Sequence, residues 1–438
     1  MLSLPLDFAL GAARLMRVPA QDRPEAHMGL PALADSVWDL AVVGAGVAGA
    51  VVAGLGAKAG WKTLLVEKEP WPRQKVCGCC LNERGIGVLK RCGILPYLPA
   101  NDCVPLKQME LIGRRSRAAI ALPGGSVISR SGLDGAVAAW AQDQGAFFLP
   151  ETLARPQADA GGRFVGTLLE SRATSASIKS RFLVGAWGIA GNAAKWNAAL
   201  TTRVQPSSHM GAGTILPRES NSALPMGTLL MAVGKEGYAG VVRLGDGSLD
   251  VAAALDAKLV RKAGGPGQLV RELLQKTDPS LAEACAQAPW KGTPPLTRRA
   301  GKISSGRILL VGDAIGYVEP FTGEGMTWGL VGGEALAQVL TNRVNPQAGL
   351  TRSDKRGETS MDADDDRAID RIHLAWKAAY RSRIEQRQGT CRALSAALRL
   401  PVLTELGISS LRFFPGAGTR LARWLARGGS ETATKEQY

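Results

Sequence analysis

Three glycines at Gly44, Gly46 and Gly49 follow the pattern G-x-G-x-x-G, and the acidic residue Glu67 lies 23 positions after the first of them. After a strand, the first glycine permits a tight turn, the second lets the backbone approach a pyrophosphate, and the third allows close helix–strand packing. An acid at the end of the next strand can accept hydrogen bonds from ribose hydroxyls. The alternative is a purely structural turn, and the elements around the glycines distinguish it from a nucleotide-binding turn.

A second glycine-rich segment lies far downstream. Gly312 and Asp313 follow the apolar run 307–311, and residues 320–326 (PFTGEGM) lead into an apolar helix. Asp313 could bind a ribityl hydroxyl, and a helix beginning near Gly325 would direct its N-terminal amides at the N1–C2=O edge of a flavin. A simple nicotinamide dehydrogenase has no use for this second motif. The pair of motifs therefore favours FAD over NAD, against the alternative of an ordinary strand-to-helix turn with a surface acid.

The elements that must position these motifs follow from hydrophobic periodicity. Residues 39–43 and 62–67 are predicted strands on either side of a helix over 48–58, which is a βαβ unit. The uncharged stretch 40–57 is long enough to consider as a membrane span, but a buried strand–turn–helix explains its glycines and a span does not. Residues 307–313 predict a buried strand, and residues 325–340 predict a helix.

The middle of the chain predicts a second layer. Residues 107–129 resemble a hairpin with its turn at 123–125, and 131–145 form a predicted helix with Ser131 as N-cap. Residues 205–255 alternate as strands do, with turns at 234 and 245–247. Further elements are predicted as a helix over 83–92, strands near 146–149, 163–170 and 181–186, and helices over 257–288.

Composition sets the protein class. The chain has 438 residues, a net charge of +15 and seven cysteines. This charge suits phosphates, anionic cofactors or an anionic membrane surface, and no nucleic-acid-binding motif accompanies it. The odd cysteine count and the lack of a signal-like start predict reduced thiols in the cytoplasm. Only three histidines occur, at His27, His209 and His373, which argues against a zinc site or a Ser-His-Asp hydrolase.

Over about residues 39–340 the chain resembles the para-hydroxybenzoate hydroxylase-like flavoproteins, and within them the geranylgeranyl reductase type. The resemblance rests on the two glycine-rich segments, Glu67, residues 75–78 (KVCG), Arg130, and Leu133 with Asp134. It implies an FAD-dependent oxidoreductase. The predicted cofactor contacts are Gly44, Gly46, Val47, Ala48, Gly49, Glu67, Lys68, Lys75, Cys77, Gly78, Arg130, Asp313, Gly325 and Met326.

Cys77 is the catalytic candidate, because it matches a cysteine that lies near the isoalloxazine ring in the geranylgeranyl reductase type. A thiol could donate a proton to a carbon during alkene reduction, and Arg73 and Lys75 would lower its pKa. A small residue that merely lines the flavin pocket is the alternative. A Cys79–Cys80 bridge is disfavoured because neighbouring cysteines form a strained ring.

Two segments depart from the relatives' patterns. Trp187, in residues 185–188 (GAWG), replaces an aspartate that helps to position pyrophosphate and NADPH in aromatic hydroxylases. NAD(P)H is thus an open candidate for the electron donor. Tyr238 keeps only the tyrosine of a Tyr-x-Trp-x-Phe-Pro strand that lines a lipid pocket in geranylgeranyl reductases. An isoprenoid substrate does not follow from the sequence.

The C-terminal region combines basic and apolar residues. Between 371 and 427 there are eleven Lys or Arg and two Glu. One interpretation is an interfacial surface that takes a greasy substrate from anionic lipid. The other is a packed helical cap with a solvated basic face.

The predicted architecture is an α/β protein: a Rossmann-like FAD-binding domain, an inserted antiparallel β-sheet substrate domain and a C-terminal helical cap. The leading function is that of a reductase or dehydrogenase with a small hydrophobic (isoprenoid-, lipid- or polyketide-like) substrate. The protein is expected in the cytoplasm, and at the inner face of a membrane if the cap is interfacial. The first alternative is a monooxygenase that uses NAD(P)H and O₂, because it shares the flavin motifs. A halogenase is a weaker alternative, since this chain lacks the tryptophan-containing segment of that class. The third alternative is a non-enzymatic flavin-bearing partner protein.

The predicted boundaries are an extension over 1–36, the FAD-binding domain over 37–105, 129–199 and 297–345, the substrate domain over 106–128 and 200–296, a polar linker over 346–370 and the helical region over 371–438.

Overall fold

A computed structural model describes residues 30–427 except 35, 160–162, 192, 193, 195, 221, 320, 322 and 345–362. The helices are α1 (Leu30–Ala34), α2 (Val47–Lys58), α3 (Glu83–Cys92), α4 (Arg130–Asp143), α5 (Ala257–Ala263), α6 (Pro266–Leu274), α7 (Pro279–Gln287), α8 (Gly325–Arg343), α9 (Ala363–Tyr380), α10 (Gln386–Leu398), α11 (Pro401–Phe413) and α12 (Pro415–Arg427).

The strands are β1 (Val37–Val43), β2 (Thr63–Val66), β3 (Cys80–Leu81), β4 (Cys103–Pro105), β5 (Gln108–Ile112), β6 (Arg117–Ala121), β7 (Ser126–Ile128), β8 (Phe147–Leu149), β9 (Leu153–Ala158), β10 (Phe164–Glu170), β11 (Ser175–Gly185), β12 (Thr202–Val204), β13 (Met210–Leu216), β14 (Thr228–Gly234), β15 (Gly237–Arg243), β16 (Leu249–Leu255), β17 (Lys291–Pro295), β18 (Arg298–Ala300), β19 (Ser304–Ser305), β20 (Ile308–Leu310) and β21 (Gly316–Tyr317).

The first large sheet carries the dinucleotide motif. Its strand order is β19-β20-β11-β1-β2-β8, and β20, β11, β1, β2 and β8 run parallel. β9 and β10 extend the long strand β11 as an antiparallel ribbon. Apolar residues fill β1 and β2 because both faces of a parallel sheet are covered.

Helices α2, α4 and α8 pack closely on one another because glycines leave room for the neighbouring helix. A Cβ on Gly54 of α2 would lie 2.3 Å from the ring of Trp140 in α4, and one on Gly333 of α8 would lie 2.6 Å from the Ala48 carbonyl oxygen. Helix α2 is apolar around most of its circumference, as expected of a helix buried on all sides.

The second large sheet has the order β17-β13-β16-β15-β14-β5-β6 and is antiparallel except between β14 and β5. One face packs on helices α5–α7. The other face packs on the cysteine-bearing loop before β3 and on the C-terminal helices. Two three-stranded sheets, β3-β7-β4 and β12-β18-β21, complete the strand pairing of the described residues.

Two buried carboxylates attach the C-terminal cap to the rest of the molecule. Glu319 Oε2 lies 3.0 Å from Arg399 Nη2, and its Oε1 lies 2.9 Å from His209 Nδ1. Glu324 Oε1 accepts a hydrogen bond from Arg387 Nη2 at 3.1 Å. A buried carboxylate left without its partner is costly, so these pairs fix where the cap lies.

The expected architecture is confirmed, with three local corrections. The hairpin turn lies at 113–116, not 123–125, and Glu405 of α11 closes it by accepting from the Arg115 amide. The N-cap of α4 is Ser129, whose hydroxyl accepts from the Gly132 amide, not Ser131. Helix α9 already includes residues 363–370, which the sequence assigned to a linker, while 346–362 lie outside the described residues. A contact from nearly 300 positions away could not be found by local turn patterns.

Candidate active site

The turn between β1 and α2 is tightly enclosed at two of its three glycines. Gly44 has a φ of +106°, and a Cβ there would lie 2.4 Å from the Ala186 carbonyl oxygen. A Cβ on Gly49 would lie 2.0 Å from the Gly44 oxygen. Any larger residue would therefore push the turn away from the sheet. This is the close backbone approach that the sequence pattern predicts.

Gly46 faces two guanidinium groups instead of backbone. A Cβ at this position would lie 3.1 Å from Nη2 of Arg73 and 3.6 Å from Nη2 of Arg130. Arg130 Nε donates to Asp134 Oδ1 at 2.9 Å. The amino end of α2, with its free amides and dipole, opens at the same place. Helix and arginines together form an anion-binding corner.

The charge state of this corner suits a diphosphate. Burial on its own would lower the pKa of Arg130, but the Asp134 carboxylate raises it overall, so the guanidinium stays charged. Arg73 Nε is buried and has no hydrogen-bond partner among the described residues, although Glu67 Oε2 lies 3.5 Å away. A buried, unsatisfied donor is costly unless a ligand supplies the acceptor. The residues present therefore fit the pyrophosphate of FAD.

Glu67 ends β2 beside this corner and is buried. Its Oε2 accepts from the Ala45 amide at 3.0 Å and its Oε1 from the Glu69 amide at 3.1 Å. A carboxylate has about four acceptor positions, so capacity is left for a ribose hydroxyl. Lys68 points outward and pairs with Glu69. Its predicted contact with the cofactor stays a prediction.

The second glycine-rich segment packs directly on the first. Gly312 has a φ of +63°, and a Cβ there would lie 2.9 Å from the Cβ of Ala48. A Cβ on Gly329 of α8 would lie 2.8 Å from Val47. Asp313 Oδ2 lies 3.3 Å from Lys75 Nζ. Two turns more than 260 positions apart thus meet at the amino end of α2.

The amino end of α8 is buried next to Tyr317. Gly325 approaches Tyr317, since a Cβ would lie 3.0 Å from the phenol oxygen, and Met326 is buried. The N-cap residue Glu324 makes no capping bond with its own helix. The first amides of α8 are therefore not capped by this side chain. Positions 320 and 322 of the predicted motif lie outside the described residues.

The cysteine loop lies between this region and the second large sheet. Cys77 is half-buried, and a hydrogen bond from Cys79 together with the charge of Arg130 lowers its pKa to about 6. The direction agrees with expectation, but the cause was wrong, because Arg73 and Lys75 point to Glu67 and Asp313. Beside the loop, a Cβ on Gly78 would meet only Ala252 at 3.8 Å.

Trp187, the residue that departs from the expected aspartate, is closely packed. Its ring lies between Gly185 and Gly191, where a Cβ would approach it to 2.2 and 1.7 Å, and it meets Trp196 edge-on at 5.2 Å. The next residue, Gly188, lies against Lys75 Nζ, 3.3 Å from a built Cβ. The segment therefore lies next to Lys75, the partner of Asp313.

The sequence reasoning missed two functional candidates. Arg73 was considered only for its effect on Cys77, although it faces Gly46. Asp250 was not singled out, yet it is an acid buried in the apolar strand β16, next to the cysteine loop. An isolated acid in the run 249–255 (LDVAAAL) was the available signal. Across the described ranges, no group of three His, Cys, Asp or Glu side chains could hold a metal ion.

Comparison with known proteins agrees with this geometry. A protein family described as "FAD binding domain" matches residues 38–359. The menaquinone reductase of Mycolicibacterium smegmatis is 26% identical over 326 residues, covering 69% of this chain and 76% of that protein. Digeranylgeranylglycerophospholipid reductase 1 of Methanococcoides burtonii is 26% identical over 354 residues, covering 74% and 80%. A geranylgeranyl bacteriochlorophyll reductase-like structure from Thermoplasma acidophilum superimposes with a TM-score of 0.68 at 16% identity, over 89% of this chain and 96% of that one.

Proposed function

Because the chain belongs to the FAD-binding domain family, it is an FAD-dependent oxidoreductase, and we propose that it is a reductase or dehydrogenase for an isoprenoid- or quinone-like lipid. When bound, FAD supplies a carrier of two electrons that can accept and deliver a hydride. The similar proteins include reductases named for menaquinone and for a geranylgeranyl lipid, which supports this substrate class. We propose NAD(P)H as the first electron donor.

The cofactor would be held by both glycine-rich segments. Arg73 and Arg130 would bind the diphosphate at the amino end of α2, with the turn amides. Glu67 would bind the adenosine ribose, and Asp313 the ribityl chain. Lys75 keeps Asp313 in place through its ion pair.

An apolar cluster that includes the cysteine loop and residues of α11 supports the proposed substrate class. It contains Cys79, Met231 and Tyr238, and Tyr238 meets Phe321 edge-on at 5.1 Å. It also includes Ile408 of α11, and the partly buried Leu411 of the same helix packs against it. Such a layer suits a long apolar substrate because burial of each CH₂ contributes about 0.8 kcal/mol.

We also propose that the outer face of α11 contacts an anionic lipid surface. This face presents apolar side chains that are each more than half exposed: Val402, Leu403, Leu406, Phe413 and Phe414. Exposed arginines surround it on the neighbouring hairpin tip and helices, namely Arg114, Arg115, Arg117, Arg412, Arg420 and Arg423. The single acid of α11, Glu405, is directed at the hairpin amides. Apolar residues with a basic rim are typical of interfacial helices.

Such a contact would hold the protein at the cytoplasmic face of a membrane and place the apolar cluster next to its lipid. Within the described ranges no individual helix combines the length and apolarity of a span. Only the bent pair 366–398 and 402–413 satisfies those criteria, on length and composition alone.

Anaerobic stopped-flow measurement tests the proposed reaction. The flavin is reduced with dithionite and mixed with an isoprenoid quinone in detergent, and we expect flavin reoxidation with stoichiometric quinol formation. In a second experiment the reduced protein is mixed with substrate in aerated buffer; rapid reoxidation by O₂ with hydroxylated product would identify the monooxygenase alternative instead. A flavin that NADPH, ferredoxin and dithionite all fail to reduce would support the non-enzymatic one.

A further inference from the structure

Glu324 is a buried acid at the start of helix α8 that does not interact with the free amides of its own helix. It is the N-cap residue of α8, is 4% exposed and makes no capping hydrogen bond. The first amides of a helix are donors without partners, and the helix dipole favours an acid beside them. A buried carboxylate that does not use these donors needs partners elsewhere.

The partners of Glu324 come from the C-terminal cap and from the residue that follows β3. Its Oε1 accepts a hydrogen bond from Arg387 Nη2 at 3.1 Å, and its Oε2 accepts one from the Cys391 thiol at 3.1 Å. Asn82 Nδ2, directly after β3, donates to Oε1 at 3.4 Å. The carboxylate therefore joins the amino end of α8 to the cap and to the end of the cysteine loop.

Helix α10 makes these contacts with one face. Arg387, Cys391 and Ser395 are spaced four residues apart, so their side chains lie along the same side of the helix. Ser395 Oγ donates to the carbonyl oxygen of Glu319 at 3.0 Å. This face of α10 therefore follows the segment that leads into α8, over the residues of 319–324 that the structure describes.

The position of the Glu324 charge matters for the cofactor. The amino end of α8 is expected to direct its amides at the N1–C2=O edge of the flavin, where negative charge increases on reduction. An uncompensated carboxylate at this end of the helix would oppose reduction, and an uncompensated guanidinium would favour it. The Arg387 side chain is only 14% exposed, so water and salt screen this pair less than they screen a surface pair.

We propose that the Glu324–Arg387 pair sets the reduction potential of the bound flavin, because the cap supplies the positive charge that balances the carboxylate at the amino end of α8. Both are positioning residues that act on the flavin through their charge. The cap therefore helps to determine how readily the flavin accepts electrons. The proposal rests on FAD binding and does not depend on the lipid substrate proposed above.

Single variants of opposite sign test the pair. Glu324→Gln keeps the shape of the side chain and removes the negative charge, so binding of reduced over oxidised flavin should improve about tenfold. For a two-electron couple this is a potential about 30 mV higher. Arg387→Gln removes the positive charge and should lower the potential by a similar amount. Each flavin-loaded protein is equilibrated anaerobically with a redox dye of known potential, and the absorption spectra give the ratio of oxidised to reduced flavin.

Two further variants serve as controls. The double variant Glu324→Gln/Arg387→Gln removes both charges, so its potential should return to that of the wild type. Arg383→Gln removes the same charge from the same cap, but Arg383 Nη1 donates to Gln338 of α8. Because Gln338 lies 13 positions after Gly325, about 20 Å along the helix, this variant should leave the potential unchanged.

The outcomes separate a role of the charge from a role in packing alone. Two single variants that shift the potential in the same direction, or that lower the midpoint of thermal unfolding without moving the potential, would overturn the proposal. An equal shift in Arg383→Gln would also overturn it, because net charge and not position would then be responsible. If Arg387→Gln retains no flavin, the contrast between Glu324→Gln and the double variant decides in the same way. No lipid is present in the assay, so its result is independent of the proposed substrate.

Discussion

The glycine-rich corner around α2 and the cysteine loop lie side by side but are built on different principles. At the corner, function depends on glycine, because only residues without a Cβ let the backbone at Gly44 and Gly49 approach other backbone so closely. At the cysteine loop, side chains come together from separate elements: Cys77 in the loop, Arg130 at the start of α4 and Asp250 in β16. A local sequence pattern specifies the first arrangement, and only the tertiary fold creates the second.

The largest expected effect tests the backbone rule at the corner. Gly44→Ala should destabilise the protein by about 3 kcal/mol and abolish flavin binding, because its Cβ would overlap the Ala186 oxygen. Gly60→Ala is the matched control: its φ is also positive, at +87°, but nothing lies within 4 Å. It should cost only about 1–2 kcal/mol, the price of a left-handed alanine. Equal losses in urea unfolding would show that close approach is not what the turn requires.

The next effect concerns the side chains of the cysteine loop. Iodoacetamide should alkylate Cys77 with a midpoint at pH about 6, since the thiolate is the reactive form and is present above that pKa. In Cys79→Ala the midpoint should move up towards the ordinary 9.0, which lowers the rate at pH 7 by up to about 100-fold. Cys80→Ala should leave the midpoint in place. An unchanged midpoint in Cys79→Ala would remove Cys79 as the source of the shift.

Arg73 places a side chain at the anion-binding corner, where the close approach of glycine backbone is otherwise decisive. Its substitution therefore tests how much a side chain contributes to FAD binding there. Arg73→Ala should weaken FAD binding by about 10- to 100-fold, as expected for loss of a charged hydrogen-bond donor to phosphate. Calorimetric titration of the apoprotein measures this, with the exposed Lys276→Ala as a control for net charge. The same loss in both variants would mean that general charge, not position, attracts the cofactor.

The smallest expected effect lies at the cap. Leu406→Glu should lower binding to anionic vesicles by about tenfold, because it removes an apolar contact and adds a repelled charge. Val165→Asp, which changes an equally exposed apolar residue on β10, should have little effect. Vesicle flotation compares the two proteins. Equal flotation would contradict a membrane contact through α11.

Much of the fold was predictable, because short apolar runs, period-2 strands and period-3.6 helices are patterns that do not depend on distant partners. The FAD class of cofactor also followed, from two motifs whose chemistry matches one molecule. The approach of Arg73 to Gly46 and the position of Asp250 beside the cysteine loop did not follow, since each joins residues from different elements. The hairpin turn at 113–116 was missed for the same reason, as Glu405 closes it from another part of the chain.

The central claim is that both distant glycine-rich turns bind one FAD molecule. Titration of the apoprotein with FAD, for the wild type and for Asp313→Ala, tests it most directly. The account predicts one FAD per chain, bound at least about tenfold more weakly in the variant even though Asp313 lies more than 260 positions from Gly44. Wild-type affinity in Asp313→Ala, or an apoprotein that takes up no flavin, would contradict it.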